Sequence, residues 1–163
     1  LDSQAPALIV LEDDVQLDPR FLEVTQAIAA LTMPWDMVKL MGREQEKVRA
    51  RRPLTATTEL IDYLRVPSMT AGYVISRAGA AKLLAARRPF GRPIDVDLRF
   101  WWECDLRILG VVPPVVLLDD TSLVSSIGQK PAMGVGAQWR KFRMKLQLTV
   151  LNTLHHLRKS LIA

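Results

Sequence analysis

The 163-residue chain contains one cysteine, Cys104, so no disulfide can form within it and nothing covalent staples the fold. That usage is compatible with a reducing cytosol. No apolar run approaches the roughly 20 residues that span a bilayer, and the strongest, Ile108 to Leu118, is interrupted by Pro113 and Pro114. Histidine is scarce, and His155 and His156 are adjacent, so on a helix they face different directions and make a poor metal pair. Cys104 has no neighbour in a metal or nucleophile pattern. The chain opens at Leu1 without an initiator Met and without a basic segment leading into an apolar run, so no signal peptide is expected and the start reads as a cut.

With 49% hydrophobic and 24% charged residues, the composition excludes disordered and collagen-like classes and points to one globular domain. The net charge of +5 is unevenly placed. From Trp139 to Ala163 the chain holds Arg140, Lys141, Arg143, Lys145, Arg158 and Lys159 with no acid, while the remainder is close to balanced. Basicity confined to a tail argues against a nucleic-acid partner.

Ala7 to Leu11 is a short apolar run that reads as a buried strand ending in Glu12-Asp13-Asp14. Asp18-Pro19 follows as an N-cap and first helical position, and Phe21, Leu22, Ile28 and Leu31 give a helix ending near Met33. Asp36 to Met41 is a second strand, and the Arg-rich stretch from Gly42 to Pro53 reads as a mobile loop. Leu60 to Val66 and Thr70 to Ser76 have strand character, and Ser76 caps a helix through Ala78, Ala80, Leu83 and Leu84 that stops before Pro89. Val111 to Leu118 is a strand kinked or interrupted at its prolines. Strands alternating with helices predict an α/β fold with a mostly parallel sheet, whose ligands favour the carboxyl ends of strands.

Glu12 and Asp14 are two residues apart, so on an extended backbone they point the same way and offer oxygen ligands to one divalent cation. Such an ion, Mn²⁺ or Mg²⁺, could neutralise a diphosphate leaving group; the plainer alternative is a solvated acidic loop capping the next helix. Asp95 and Asp97 repeat that spacing ahead of Phe100-Trp101-Trp102, where one could act as a general base beside aromatic rings that stack on a sugar. Alternatively Asp95 only caps a helix with core aromatics. Thr70-Ala71-Gly72-Tyr73 suits close passage of backbone past a ligand or an ordinary strand, and Ser125, Ser126 and Gly128 suit phosphate donors or an ordinary turn.

In the tail, Trp139, Phe142, Leu146, Val150, Leu154, Leu157 and Leu161 recur every three or four residues among the cations, predicting a basic amphipathic helix. It suits either an anionic membrane surface or packing on the domain or a second copy.

Taken in order, Leu-Glu-Asp-Asp-Val (11 to 15), Thr-Ala-Gly-Tyr-Val-Ile-Ser-Arg-Ala-Gly-Ala-Ala-Lys-Leu-Leu (70 to 84), Pro-Ile-Asp-Val-Asp (93 to 97), Pro-Pro-Val-Val (113 to 116) and Ser-Ser-Ile (125 to 127) resemble glycosyltransferase family 25. The similarity covers roughly residues 5 to 130. It implies a GT-A-like nucleotide-sugar fold, UDP-galactose as donor, Mn²⁺ or a similar ion, an inverted product and a lipooligosaccharide-type acceptor. On this resemblance Glu12 and Asp14 hold the metal, Asp13 contacts the donor, and Asp97 or Asp95 is the base; Gly72, Tyr73 and Ser126 are expected from their residue types to line the substrate. Members normally carry a first strand and nucleotide loop ahead of the acidic triplet, so an N-terminally incomplete domain (1–130) followed by a basic tail (131–163) is expected.

The leading expectation is a sugar transferase at the cytoplasmic face of a bacterial membrane, peripheral through its tail, acting on a lipid-linked glycan. A catalytically inactive remnant serving as a binding or membrane-associated module is the alternative. A metal-dependent phosphohydrolase would need a nucleophilic Asp with a downstream Lys, and no convincing set is present.

Overall fold

The computed structural model describes residues 4–43, 45–87, 89, 91–118 and 135–162. They divide into two compact units, Leu1–Leu123 and Val124–Ala163. The first unit is mixed α/β, built on a six-stranded sheet with order β1-β6-β3-β7-β5-β4 and a two-stranded sheet of β2 and β8. Its strands are β1 (Ala7–Leu11), β2 (Val15–Leu17), β3 (Met37–Lys39), β4 (Val48–Pro53), β5 (Glu59–Tyr63), β6 (Gly72–Ser76), β7 (Ile108–Val112) and β8 (Val116–Leu118).

The sheet is mostly antiparallel, which corrects the parallel arrangement expected from the alternating elements. Among the described residues only β3 and β7 pair in parallel; β1–β6, β6–β3, β7–β5 and β5–β4 are all antiparallel. The reason lies in the connections. A parallel neighbour needs a crossover of a dozen or more residues, whereas β4 turns into β5 through residues 54–58, tied by Leu54 N to Thr58 O at 3.0 Å. β6 then inserts between β1 and β3 against the direction of both.

The expected loop from Gly42 to Pro53 contains β4. Its Val-Arg-Ala-Arg-Arg-Pro sequence has no buried apolar face, and its residues are almost all exposed. Ladder bonds to β5 and cross-strand pairs hold it instead: Arg51 reaches Glu59 at 2.8 Å, and Arg49 pairs with Asp62. Such a strand has no hydrophobic periodicity for a sequence reading to detect.

Elsewhere the pleat sorts side chains to two faces. Val38, Leu40, Val74, Leu109 and Val111 pack on one face against Val24 and Ile28 of helix α1 (Phe21–Ala29). Met37, Ile61, Tyr63, Ile75 and Ile108 pack on the other, with Leu98, Trp101 and Leu106. Each such aliphatic side chain taken from water contributes about 1.5–3 kcal/mol. That second face also carries helix α2 (Arg77–Ala86) and a 3-10 turn, Leu98–Glu103, which directly follows the short helix α3 (Ile94–Asp97).

Helix α2 begins where expected, because Ser76 Oγ accepts from the Gly79 amide at 3.0 Å. Helix α1 is shorter than expected and its N-cap is Arg20, not Asp18. Asp18 instead accepts from the Arg20 amide (2.8 Å) and from its guanidinium (2.7 Å), which holds the carboxyl down to about 2. β7 and β8 lie in different sheets, and a cis Val112-Pro113 bond stands between them; the apolar run is interrupted at its prolines, as the sequence suggested. The described residues of the second unit form one long helix, α4 (Val135–Ile162).

Candidate active site

One rim of the six-stranded sheet collects the C-terminal ends of β1, β3 and β7 and the N-terminal end of β6. Backbone hydrogen bonds continue past the strands and fix this rim. Glu12 N donates to Ala71 O (2.9 Å), Leu40 N to Gly72 O (2.9 Å), Val115 N to Leu40 O (2.9 Å) and Asp18 N to Val115 O (3.0 Å). The acidic triplet, the Thr70–Tyr73 segment and the chain after β7 are therefore held at the same edge.

Glu12, Asp13 and Asp14 are exposed. The extended continuation that would aim Glu12 and Asp14 together stops at Glu12, since Asp13 and Asp14 form a turn from which β2 leaves to pair with β8. The spacing of the two carboxylates is thus set by a turn. Thr70 Oγ1 lies 3.5 Å from Glu12 Oε1. Tyr73 is half-buried, and burial together with the charge of Glu12 raises its hydroxyl above the ordinary value. Gly72 serves packing: a Cβ there would lie 2.8 Å from Val116 Cγ1, so the missing side chain admits β8.

The second acidic pair lies in a helical turn, where residues two apart point in different directions. Asp97 is buried and accepts from Arg87 Nε at 2.5 Å, with Arg92 Nε at 3.4 Å. Glu103 closes the cycle at 2.7 Å from Arg87 and 2.6 Å from Arg92, and the Arg92 guanidinium sits 4.1 Å from the centre of the Phe100 ring. Asp97 is thereby committed to holding α3 and the 3-10 turn together. Asp95 is only half-buried, and its charge acts on Lys39 and Arg99.

Lys39 was not singled out by the sequence reading, yet it is the most unusual charge near the rim. It ends β3 with 1% of its surface exposed, and Nζ donates to Pro67 O and Met69 O, both at 2.6 Å. Residues 64–71 pass between strands with few ladder partners, and the ammonium satisfies two of their carbonyls. Burial pulls its pKa down to about 8, opposed by the charges of Glu46 and Asp95. A lone cation inside the apolar run Met37 to Met41 was the available signal. Arg87 and Arg92 were also missed, because no sequence spacing links them to Asp97.

The expected phosphate donors Ser125, Ser126 and Gly128 lie outside the described residues. His155 is half-buried on α4, and Cys104 is buried, which raises its thiol above the ordinary value. Among the described residues no group of three or more His, Cys, Asp or Glu side chains could hold a metal ion. These residues therefore do not fit a closed protein cage. An ion that takes one or two carboxylates and completes its shell with phosphate and water, the habit of Mg²⁺ and Mn²⁺, needs no such cage.

A mixed α/β domain with an acidic strand edge defines a broad class, and comparison with known proteins narrows it. The model of glycosyltransferase family 25 (LPS biosynthesis protein) matches residues 1–98, and the chain belongs to that family. It is 31% identical over 104 residues to human procollagen galactosyltransferase 2, covering 60% of this chain and 16% of that protein. It is 32% identical over 94 residues to a bovine protein named probable inactive glycosyltransferase 25 family member 3, covering 55% of this chain and 15% of that one. The chain thus spans about one-sixth of the length of these relatives. No solved structure matches it significantly.

Proposed function

We propose that this chain carries the acidic rim of an inverting, metal-dependent sugar transferase of GT-A type that moves galactose from UDP-galactose to a hydroxyl of a lipid-linked, lipopolysaccharide-type glycan. The observation that carries the reading is the attachment of Glu12 to the Thr70–Tyr73 segment at the rim of a sheet in a family 25 chain. Galactose is favoured by the name of the human relative, and the acceptor by the family's description.

In this reading Glu12 and Asp14 hold Mn²⁺ or Mg²⁺, which when bound supplies positive charge to the departing diphosphate. Asp13 and Tyr73 line the donor, and Gly72 keeps the rim compact by admitting Val116. Asp95 is the base. It takes the proton from the acceptor hydroxyl as that oxygen bonds to the anomeric carbon and the bond from that carbon to the diphosphate oxygen breaks. Asp95 suits this role better than Asp97, which accepts from Arg87 and is ion-paired with both Arg87 and Arg92. The setting of such chemistry is the cytoplasmic face of a bacterial membrane, where a lipid-linked acceptor is presented.

A second reading is favoured by the similarity to the relative named as probably inactive: a non-catalytic member that keeps the fold as a binding module. UDP release from UDP-galactose, with Mn²⁺ and a mixed lipooligosaccharide acceptor, separates the two. The chain, an upstream-extended form and Asp14→Ala are compared. Metal-dependent release that disappears in Asp14→Ala is expected. Neither release nor UDP binding in any form would establish the non-catalytic reading.

A further inference from the structure

Helix α4 presents a row of large apolar side chains to solvent. Trp139, Phe142, Leu146, Val150, Leu154 and Leu157 are each between 47% and 62% exposed. Their three- and four-residue steps keep them within an arc of about 120° on a straight helix. Trp139 and Phe142 meet edge to face at 6.0 Å, forming an aromatic cluster near the start of the helix. A run this long on one face is more than the scattered apolar exposure normal for a protein surface.

Charge identifies what covers it. Arg143 and Lys145 are exposed beside or within the row, the sequence of α4 adds Arg140, Lys141, Arg158 and Lys159, and the helix contains no acid. Pairing this face with a second copy would bring two such sets of cations together with no carboxylate to offset them. An anionic surface has the complementary sign and no such penalty. The polar residues along the row are compatible with an apolar setting: Thr149 Oγ1 donates to Lys145 O and Thr153 Oγ1 to Thr149 O, each at 2.9 Å, so neither hydroxyl depends on water. No described helix is long and apolar enough to cross a membrane. The combination of an exposed apolar row, cations with no acid on the same helix and too little hydrophobicity to span is that of a helix lying in the plane of a bilayer surface.

We infer that α4 docks the protein on an anionic phospholipid bilayer, with the Trp139–Leu157 row among the acyl chains and its cations at the headgroups. This inference does not depend on the transferase reading, and its test does not use sugar transfer.

The test is sedimentation of the full chain with vesicles of phosphatidylcholine alone and of phosphatidylcholine mixed with phosphatidylglycerol, at low and high salt. Binding to the mixed vesicles, weakened by salt and much weaker on phosphatidylcholine alone, is expected. Arg143→Gln with Lys145→Gln should weaken it roughly 30-fold, from two lost headgroup cations. Leu146→Ser with Val150→Ser should abolish it while circular dichroism retains the helix; should that pair fail to fold, the salt series and the glutamine pair still decide. Equal, salt-insensitive binding to both vesicle types overturns the inference. So does absence of binding with concentration-dependent dimerisation, lost in the serine pair, which would assign the row to a second copy.

Discussion

Gly110 lies directly beneath the phenol of Tyr63: a Cβ built on the glycine would fall 2.0 Å from the hydroxyl oxygen. Tyr63 is almost fully buried, and burial holds its hydroxyl well above the ordinary range. The ring reaches back across β7 because β7 has no side chain at that point, so the two residues form one packing unit.

Gly110→Ala should therefore expel or tilt the Tyr63 ring and destabilise the domain by about 2–3 kcal/mol, the upper range for overpacking a core. The urea midpoint measures it. Gly42→Ala is the control, since a Cβ there meets the same hydroxyl only at 3.8 Å and should change stability little.

Lys39 makes stability depend on pH in an uncommon direction. Its ordinary pKa is 10.5 and its folded value is about 8, so between these values the unfolded chain binds more protons. Stability must then rise as pH increases through that window. A tenfold difference in proton affinity between the folded and unfolded chain is worth about 1.4 kcal/mol, so the rise is on the order of a few kcal/mol. Urea melts at pH 7.5 and pH 10 should show it in the natural chain, and Lys39→Met should lose it. An equal pH response in both chains would remove Lys39 as its source.

Asp95 and Asp97 should separate when replaced individually by Asn. Asp97→Asn removes the buried negative charge between Arg87 and Arg92, leaving one amide oxygen for the two guanidiniums, and should cost about 3 kcal/mol of stability. Asp95→Asn should leave the thermal midpoint nearly unchanged and remove acceptor-dependent turnover. Loss of turnover in Asp97→Asn without loss of stability would reverse the two assignments.

Local chemistry was readable in the sequence wherever one side chain decides the outcome. Ser76 at the start of α2 and the prolines between β7 and β8 each act on their own backbone, so their effects follow from position alone. The direction of β6 could not be read, because it depends on which strands flank it in space. β4 was invisible because its ladder and ion pairs belong to β5, close along the chain but unrelated in pattern. At the rim, Glu12 was correctly expected to follow a strand, but the turn at Asp13 and Asp14 and the arginines facing Asp97 come from tertiary packing.

The two outer strands of the large sheet treat other chains differently. Along β4, Arg49, Arg51, Arg52 and Pro53 supply charge and a missing amide, the features that stop exposed edges from joining into aggregates. β1 carries Leu8, Ile9 and Leu11 in contact with solvent and pairs only on its β6 side among the described residues. Of the two borders, β1 is therefore the one open to an added strand.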